Sequence, residues 1–213
     1  YTWWPEPVGG QGTATAEYQW TTPGVFSVTV DAQNCGGTCS DLAYMLVISD
    51  GNVATVGPET GGTVVYTDAQ DNSVVIQVPA GAVTESISLV YTPVDTATVP
   101  PGFAFADHVF DLEVYRDGHY LPDFVFQQPP VITLHYSSAD VVGIDEATLV
   151  LDYWNGSAWM DAASTCVPPS EYDRHPEADW LAVPICHLCR FALFGQPEAV
   201  KYRIYLPLAV RED

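Results

Sequence analysis

Positive charge is what this chain has least of. Six Lys and Arg stand against 27 Asp and Glu, a net charge of −21. A nucleic-acid binder needs a basic stripe facing the phosphates, and so few cations cannot supply one. Anionic lipid is repelled by the same surface. Charged residues of both signs reach only 15%, well under the ~25% usual in soluble domains. No apolar run approaches the ~18–20 residues of a membrane span, so this stretch is expected not to insert into a membrane. There is no phosphate loop, no dinucleotide fingerprint and no Gly-x-Ser-x-Gly elbow. The sequence opens at Tyr1 without an initiator Met, a basic n-region or an apolar h-region, and reads as a mature or excised piece of an exported protein.

What is present is strand and turn material. Apolar residues make up 47% of the 213, with 16 Gly and 17 Pro. That mixture, rich in Thr, Val and Tyr, suits short strands joined by tight turns. From 18 to 48 the chain alternates: Val25, Ser27, Thr29 and Asp31 oppose Phe26, Val28 and Val30. Thr22-Pro-Gly24 and Cys35-Gly-Gly37 are turns, and Leu42 to Ile48 is a return strand. Residues 50–58 are small and polar and read as a linker. Further strands are expected at Val64–Tyr66, Val74–Val78, Ile87–Tyr91, Phe110–Tyr115, Val131–Tyr136, Leu149–Trp154 and Ala158–Met160, with Leu181–Phe194 closing the module. Asn155-Gly156 is a two-residue hairpin signal. Strands at this spacing predict an all-β chain of two tandem β-sandwich modules, one immunoglobulin-like. The tail 198–213 is expected to form a terminal strand.

Five cysteines leave one over if the others pair. Cys35 and Cys39 flank a turn that a short bridge would close. Cys166 and Cys186 flank a Pro-rich loop. Both pairings fit an oxidising, exported setting, and they leave Cys189 unpaired.

Two segments resemble known families. Tyr18 to Gly37 (YQWTTPGVFSVTVDAQNCGG), with Tyr1-Thr-Trp3 before it, resembles the C-terminal half of a polycystic-kidney-disease-type repeat, covering 1–49. Trp4-Pro-Glu-Pro7 replaces that family's usual acidic-glycine turn, and its leading strands are missing. Val74 to Pro93 (VVIQVPAGAVTESISLVYTP), with Trp154, Trp159, Cys166 and Ile185 to Gly195 (ICHLCRFALFG), resembles a ZU-like domain and the proteolysis-site module of adhesion receptors, covering 59–197. The resemblances imply a non-catalytic structural or adhesion module of an exported or cell-surface protein. Its partners would be extracellular proteins or glycans.

They also imply one chemistry to test. In the related modules a His-(Leu/Phe)-(Ser/Thr) tripeptide cuts its own backbone. Here the tripeptide is His187-Leu188-Cys189, so the Cys189 thiol would lose its proton to His187 and attack the Leu188 carbonyl; the Leu188–Cys189 C–N bond would break, the amine taking up the proton, and water would then hydrolyse the resulting thioester. On a plain strand, by contrast, His187 and Cys189 would share one face with Leu181, Val183, Ile185, Phe191 and Leu193 and simply pack. A third reading is an accessory glycan-binding module of an exported hydrolase, to be tested at Trp3 and Trp154; Trp154 and Trp159 flank one turn, where cross-strand packing is the simpler role and a sugar platform the alternative.

Other clusters invite weaker readings. Cys186-His187-x-Cys189 lacks the second ligand pair of structural zinc. Asp111 and Glu113 share a strand face but have no convergent partner. Asp68, Asp71 and Asn72 in one turn suggest at most weak calcium binding. No cofactor or metal is otherwise expected. Asn155-Gly-Ser157 matches a glycosylation sequon, with a hairpin turn as its simpler role.

Overall fold

The computed structural model describes residues 1–20, 24–34, 36–47 and 53–199, with backbone pairing alone for 24–25 and 43–47. It is all-β. The strands are β1 Thr2–Trp4, β2 Gly24–Asn34, β3 Gly37–Val47, β4 Val53–Val56, β5 Gly62–Thr67, β6 Ser73–Val78, β7 Ile87–Pro93, β8 Ala104–Arg116, β9 His119–Tyr120, β10 Val131–His135, β11 Ile144–Trp154, β12 Trp159–Asp161, β13 Asp173–His175, β14 Trp180–Pro184 and β15 Arg190–Pro197. The expected turn 22–24 lies partly, and the tail from residue 200 wholly, outside the described residues.

The first unit is a three-stranded antiparallel sheet in the order β1-β2-β3. The β2–β3 pairing runs unbroken from Gly24↔Val47 to Asn34↔Gly37. The return strand therefore starts at Gly37, earlier than the sequence suggests. Asn34 Oδ1 accepts from Gly36 N at 2.7 Å, closing the turn. Tyr18, Trp20 and Phe26 stack in series, 5.2 and 5.1 Å between rings. A second layer for this sheet is not among the described residues. Cys39 is an exposed free thiol, opposite Ala32; its expected partner, Cys35, lies outside the described residues.

The second unit is a sandwich of two antiparallel sheets. One has five strands in the order β13-β14-β10-β6-β5. The other has seven, in the order β12-β11-β15-β8-β7-β4, with β9 also on β8. Period-two alternation supplies the facing layers. Val64, Val74, Ile76, Ile132, Leu134, Leu181 and Val183 come from the first sheet, and Val56, Leu89, Phe110, Leu112, Leu149, Leu151, Phe191 and Leu193 from the second, in one buried cluster. Tyr66, Tyr91, Phe110 and Phe191 form a ring series through it, with centroids 4.6, 4.8 and 5.7 Å apart.

The expected linker 50–58 is corrected at its centre. Val53–Val56 pairs with β7 as an edge strand, and Val56 is fully buried. The chain then turns sharply into the other sheet through reciprocal bonds between Gly57 and Gly61. Gly61 has φ +66, and a Cβ there would lie 2.2 Å from the Val78 carbonyl oxygen. Only glycine fits both conditions.

The expected single strand 181–194 is corrected too. β14 belongs to the five-stranded sheet and β15 to the seven-stranded one, so residues 185–189 cross between layers. The crossing is tied by the Cys166–Cys186 disulfide. Ile185 N donates to Pro130 O at 2.9 Å and Cys186 N to Thr165 Oγ1 at 3.0 Å. Beyond the crossing, β15 is buried on both faces. Phe191 and Leu193 enter the main core, while Ala192 and Phe194 join Val109 in an outer cluster covered by Val94, Ala97 and Phe103.

The bridge closes a loop of 20 residues. Replacing both Cys166 and Cys186 with Ala is expected to cost about 3 kcal/mol by chain entropy, read as a lowered urea midpoint. A loss well under 1 kcal/mol would mean that the two hydrogen bonds hold the crossing unaided.

Candidate functional site

The tripeptide His187-Leu188-Cys189 sits in the crossing between sheets. Its backbone is held on both sides. His187 forms an isolated bridge with Val125, and Leu112 N donates to the Cys189 carbonyl at 3.0 Å. The His187 ring meets Tyr153 edge-on at 4.8 Å, and its Nδ1 lies 3.4 Å from the Leu188 carbonyl oxygen. Leu188 and Cys189 pack against the main core. Asp123, Tyr153 and Trp154 complete the walls of a hollow of about 440 Å³ over the tripeptide.

Self-cleavage asks for an ionisable nucleophile, a base within reach and a twisted peptide. Burial, and then the charge of Asp111, pushes the Cys189 thiol up to about 12. A thiol so placed is neutral near pH 7 and inert. Among the described residues no hydrogen bond joins His187 to Cys189. The Leu188–Cys189 peptide is not cis, and neither residue has positive φ.

The other candidates are engaged in structure. Cys186 is in the disulfide, so it is not available as a zinc ligand. Asp111 takes a bidentate pair from Arg190 at 2.8 and 2.9 Å, whereas Glu113 accepts from Tyr115 Oη; the two carboxylates do not work together. Asp68 Oδ1 accepts from Gln70 N and Asn72 N, and its Oδ2 from Asn72 Nδ2, an Asx-type turn rather than an open cradle. Asp71 occupies that turn with φ 65. Among the described residues no three His, Cys, Asp or Glu converge as a metal set. Asn155 Oδ1 accepts from Ser157 N, Ser157 Oγ and Ala158 N, so it builds the hairpin turn.

Sequence reasoning missed two buried polar groups. His108, on the core-facing side of β8, has a buried Nε2 without a hydrogen bond, 3.9 Å from Asp140 Oδ2. That oxygen accepts from Ser137 N, Ser137 Oγ and Asn72 Nδ2. The signal was parity: Ala106, His108, Phe110 and Leu112 share a face, but the strand was expected to begin only at Phe110. The second is Asp152, 7% exposed, opposite Ala192 on β15 and Asp161 on β12. Burial first, then the charge of Asp161, lifts its carboxyl to about 6.

The indoles of Trp154 and Trp159 are a directly opposed pair across the β11–β12 hairpin, 5.4 Å apart and tilted by 64°. Trp159 is wedged edge-on against Phe194 at 5.3 Å, and Trp154 remains 38% exposed. Trp3, by contrast, pairs with Val30 in the first sheet and is held by the loop after β1, its Nε1 donating to Thr13 O and its backbone bonded to the Gln11 side chain. No family model matches the chain, and no curated protein matches it at a significant level.

Two outcomes follow from these environments. Iodoacetamide at pH 8 on the folded protein should modify Cys39 and spare Cys189 until denaturant is added, as peptide mapping will read. Protection of Cys39 instead would place it in a bridge with Cys35. For Asp152 the folded value lies above the ordinary 3.8, so the stability linked to its neutral form is full below that value and is lost as pH rises through about 6. His108 has the opposite sign: burial lowers its pKa, so the unfolded chain takes the proton first and stability is lost as pH falls. The difference between Asp152→Asn and the wild type isolates the first effect. The variant should match the wild type at pH 4 and exceed it at pH 7.5 by about 1–2 kcal/mol, after allowance for partial solvation.

Proposed function

We propose that this chain is a non-catalytic structural or adhesion module of an exported or cell-surface protein. The observation that carries this reading is the state of the one tripeptide with chemical promise. It is pinned in a disulfide-tied crossing, with a half-buried, neutral thiol and no base bonded to it. Asp68, Asp111, Glu113 and Asn155, the other clusters the sequence singles out, are spent on turns and pairs.

Three features support the setting. A disulfide between core-side cysteines suits an oxidising compartment. A charge of −21 favours solubility and discourages non-specific association with nucleic acid or lipid. The resemblances to a polycystic-kidney-disease-type repeat and a ZU-like domain both imply a spacer or adhesive role. No helix among the described residues is long and apolar enough to cross a membrane.

The test is the intact mass of freshly purified protein after denaturation. A single mass corresponding to all 213 residues is expected. Fragments of 188 and 25 residues that vanish in Cys189→Ala would overturn the reading in favour of self-cleavage through a thioester. Denaturation matters because β15 lies between β11 and β8 and would hold a cut strand in place.

A further inference from the structure

We propose that the outer face of the seven-stranded sheet carries a binding site for a neutral polysaccharide, built on the row Trp159–Trp154–Arg190–Asp111. The row is read from the pairing register. Trp159 opposes Trp154. Trp154 stands one step beyond the Tyr153↔Phe191 pair, which sets it beside Arg190. Arg190 opposes Asp111. Four neighbouring strands each contribute one side chain, so the row spans about 14 Å at the usual strand spacing. Thr96, Ala97 and Thr98 wall it on one side, and with Trp154, Trp159 and Arg190 they enclose a hollow of about 270 Å³.

The chemistry of these groups is that of sugar recognition. A pyranose presents a face of C–H bonds and a rim of hydroxyls. Indole rings take the C–H face and exclude water from it. Arg190 uses Nε and Nη2 on Asp111, which leaves its Nη1 free as a donor and gives the pair a flat edge of donors and acceptors. The Thr96 and Thr98 hydroxyls make no hydrogen bond among the described residues and stand free to bond a ligand. Phe194 fixes Trp159, so little ordering cost remains at that end of the row. One row further in on the same face lies Asp152, a buried carboxyl with no hydrogen-bond partner among the described residues.

Charge selects among polysaccharides. The only cation in the row is neutralised by Asp111, and the protein as a whole carries −21. An anionic polymer would meet repulsion with nothing to offset it. A neutral one meets none.

This inference rests on the non-catalytic reading, and the experiment separates the two. The full chain is run by affinity electrophoresis through gels containing xyloglucan, galactomannan or amylopectin, with polygalacturonate as the anionic comparison. Retardation is expected on at least one neutral polymer. It should weaken at least about tenfold in Trp154→Ala and in the double variant Thr96→Ala/Thr98→Ala. Trp4→Ala, which removes an indole 61% exposed in the first unit, should leave it unchanged. Near-ultraviolet circular dichroism and thermal midpoints establish that each variant is folded. No retardation on any neutral polymer, retardation by polygalacturonate alone, or equal retardation in a folded Trp154→Ala would each overturn the site. New reducing ends in the wild-type incubation would instead overturn the non-catalytic reading.

Discussion

The sandwich depends on where the chain passes from β14 to β15. Both strands are interior: β14 lies between β13 and β10, and β15 between β11 and β8. Five residues connect the two layers. Sheets pack about 10 Å apart, so the connection must run nearly straight through the edge of the core. Ile185 fills the core as it goes, fully buried. The disulfide at Cys186 fixes the start of the passage, and the Leu112–Cys189 hydrogen bond fixes its end. Once it is fixed, β15 can insert its doubly buried run, Phe191 to Phe194, between neighbours that come from far earlier in the sequence. The geometry that could have exposed a cleavable peptide is therefore the geometry that holds the layers together. A strained, mobile nucleophile there would weaken the closure on which both sheets rely.

The excess of acid imposes a second constraint. With so few cations, carboxylates cannot all be paired with opposite charge, and the fold uses hydrogen-bond donors in their place. Asp68 is satisfied by a turn, Asp140 by Ser137 and Asn72, and Asp161 by Ala163 N and Tyr172 Oη. The three described arginines are each committed: Arg116 to Glu85, Arg190 to Asp111, and Arg174 over the Tyr172 ring with its Nε on Leu149 O. Asp152 is the exception. It lies beside Asp161 without a donor, and the elevated carboxyl is the physical cost of that placement. His108 mirrors it, a ring nitrogen buried near a carboxylate but beyond hydrogen-bond distance.

Much of this architecture is legible in the sequence because alternation survives wherever a strand is wet on one face. β6 and β10 alternate buried positions with partly buried or exposed ones, with Val74, Ile76 and Val78 and Ile132 and Leu134 on the buried face, and those strands fall where the sequence places them. The hairpin near Asn155-Gly156 and the Cys166–Cys186 bridge follow from turn chemistry and cysteine arithmetic, though the turn is centred on Gly156-Ser157, with Asn155 N bonded to Ala158 O, rather than on the expected Asn155-Gly156 pair. Three things escape such reading. Val53–Val56 is too short, and too closely flanked by small polar residues, to stand out from a linker. The run 181–194 is apolar but for His187 and Arg190, so its periodicity carries no mark of the sheet change at Pro184. Finally, the outer cluster around Phe194 depends on the loop after β7 folding back, which no local pattern records. The chemistry of His187 and Cys189 was invisible for a related reason: pKa and reach are set by packing across the crossing, not by the tripeptide.

That folded-back loop also explains why one end of the outer face stays open. Val94, Ala97 and Phe103 cover Val109, Ala192 and Phe194, and Val94 N is bonded to Val109 O. Partial burial of these three apolar side chains favours the folded-back course, and two adjacent prolines, Pro100 and Pro101, lower the cost of ordering the loop. The next row, Trp159–Trp154–Arg190–Asp111, lies beyond the loop, which forms its side wall at Thr96 and Thr98 rather than its lid. Had the row been needed only to finish the core, aliphatic residues under a slightly longer loop would have served and would have left no indole in water. Instead the fold fixes one indole, leaves the other partly bare and sets a charge-neutral Arg–Asp pair beside them. A rigid sheet that presents such a row gives the module a surface suited to holding a partner without any chemistry.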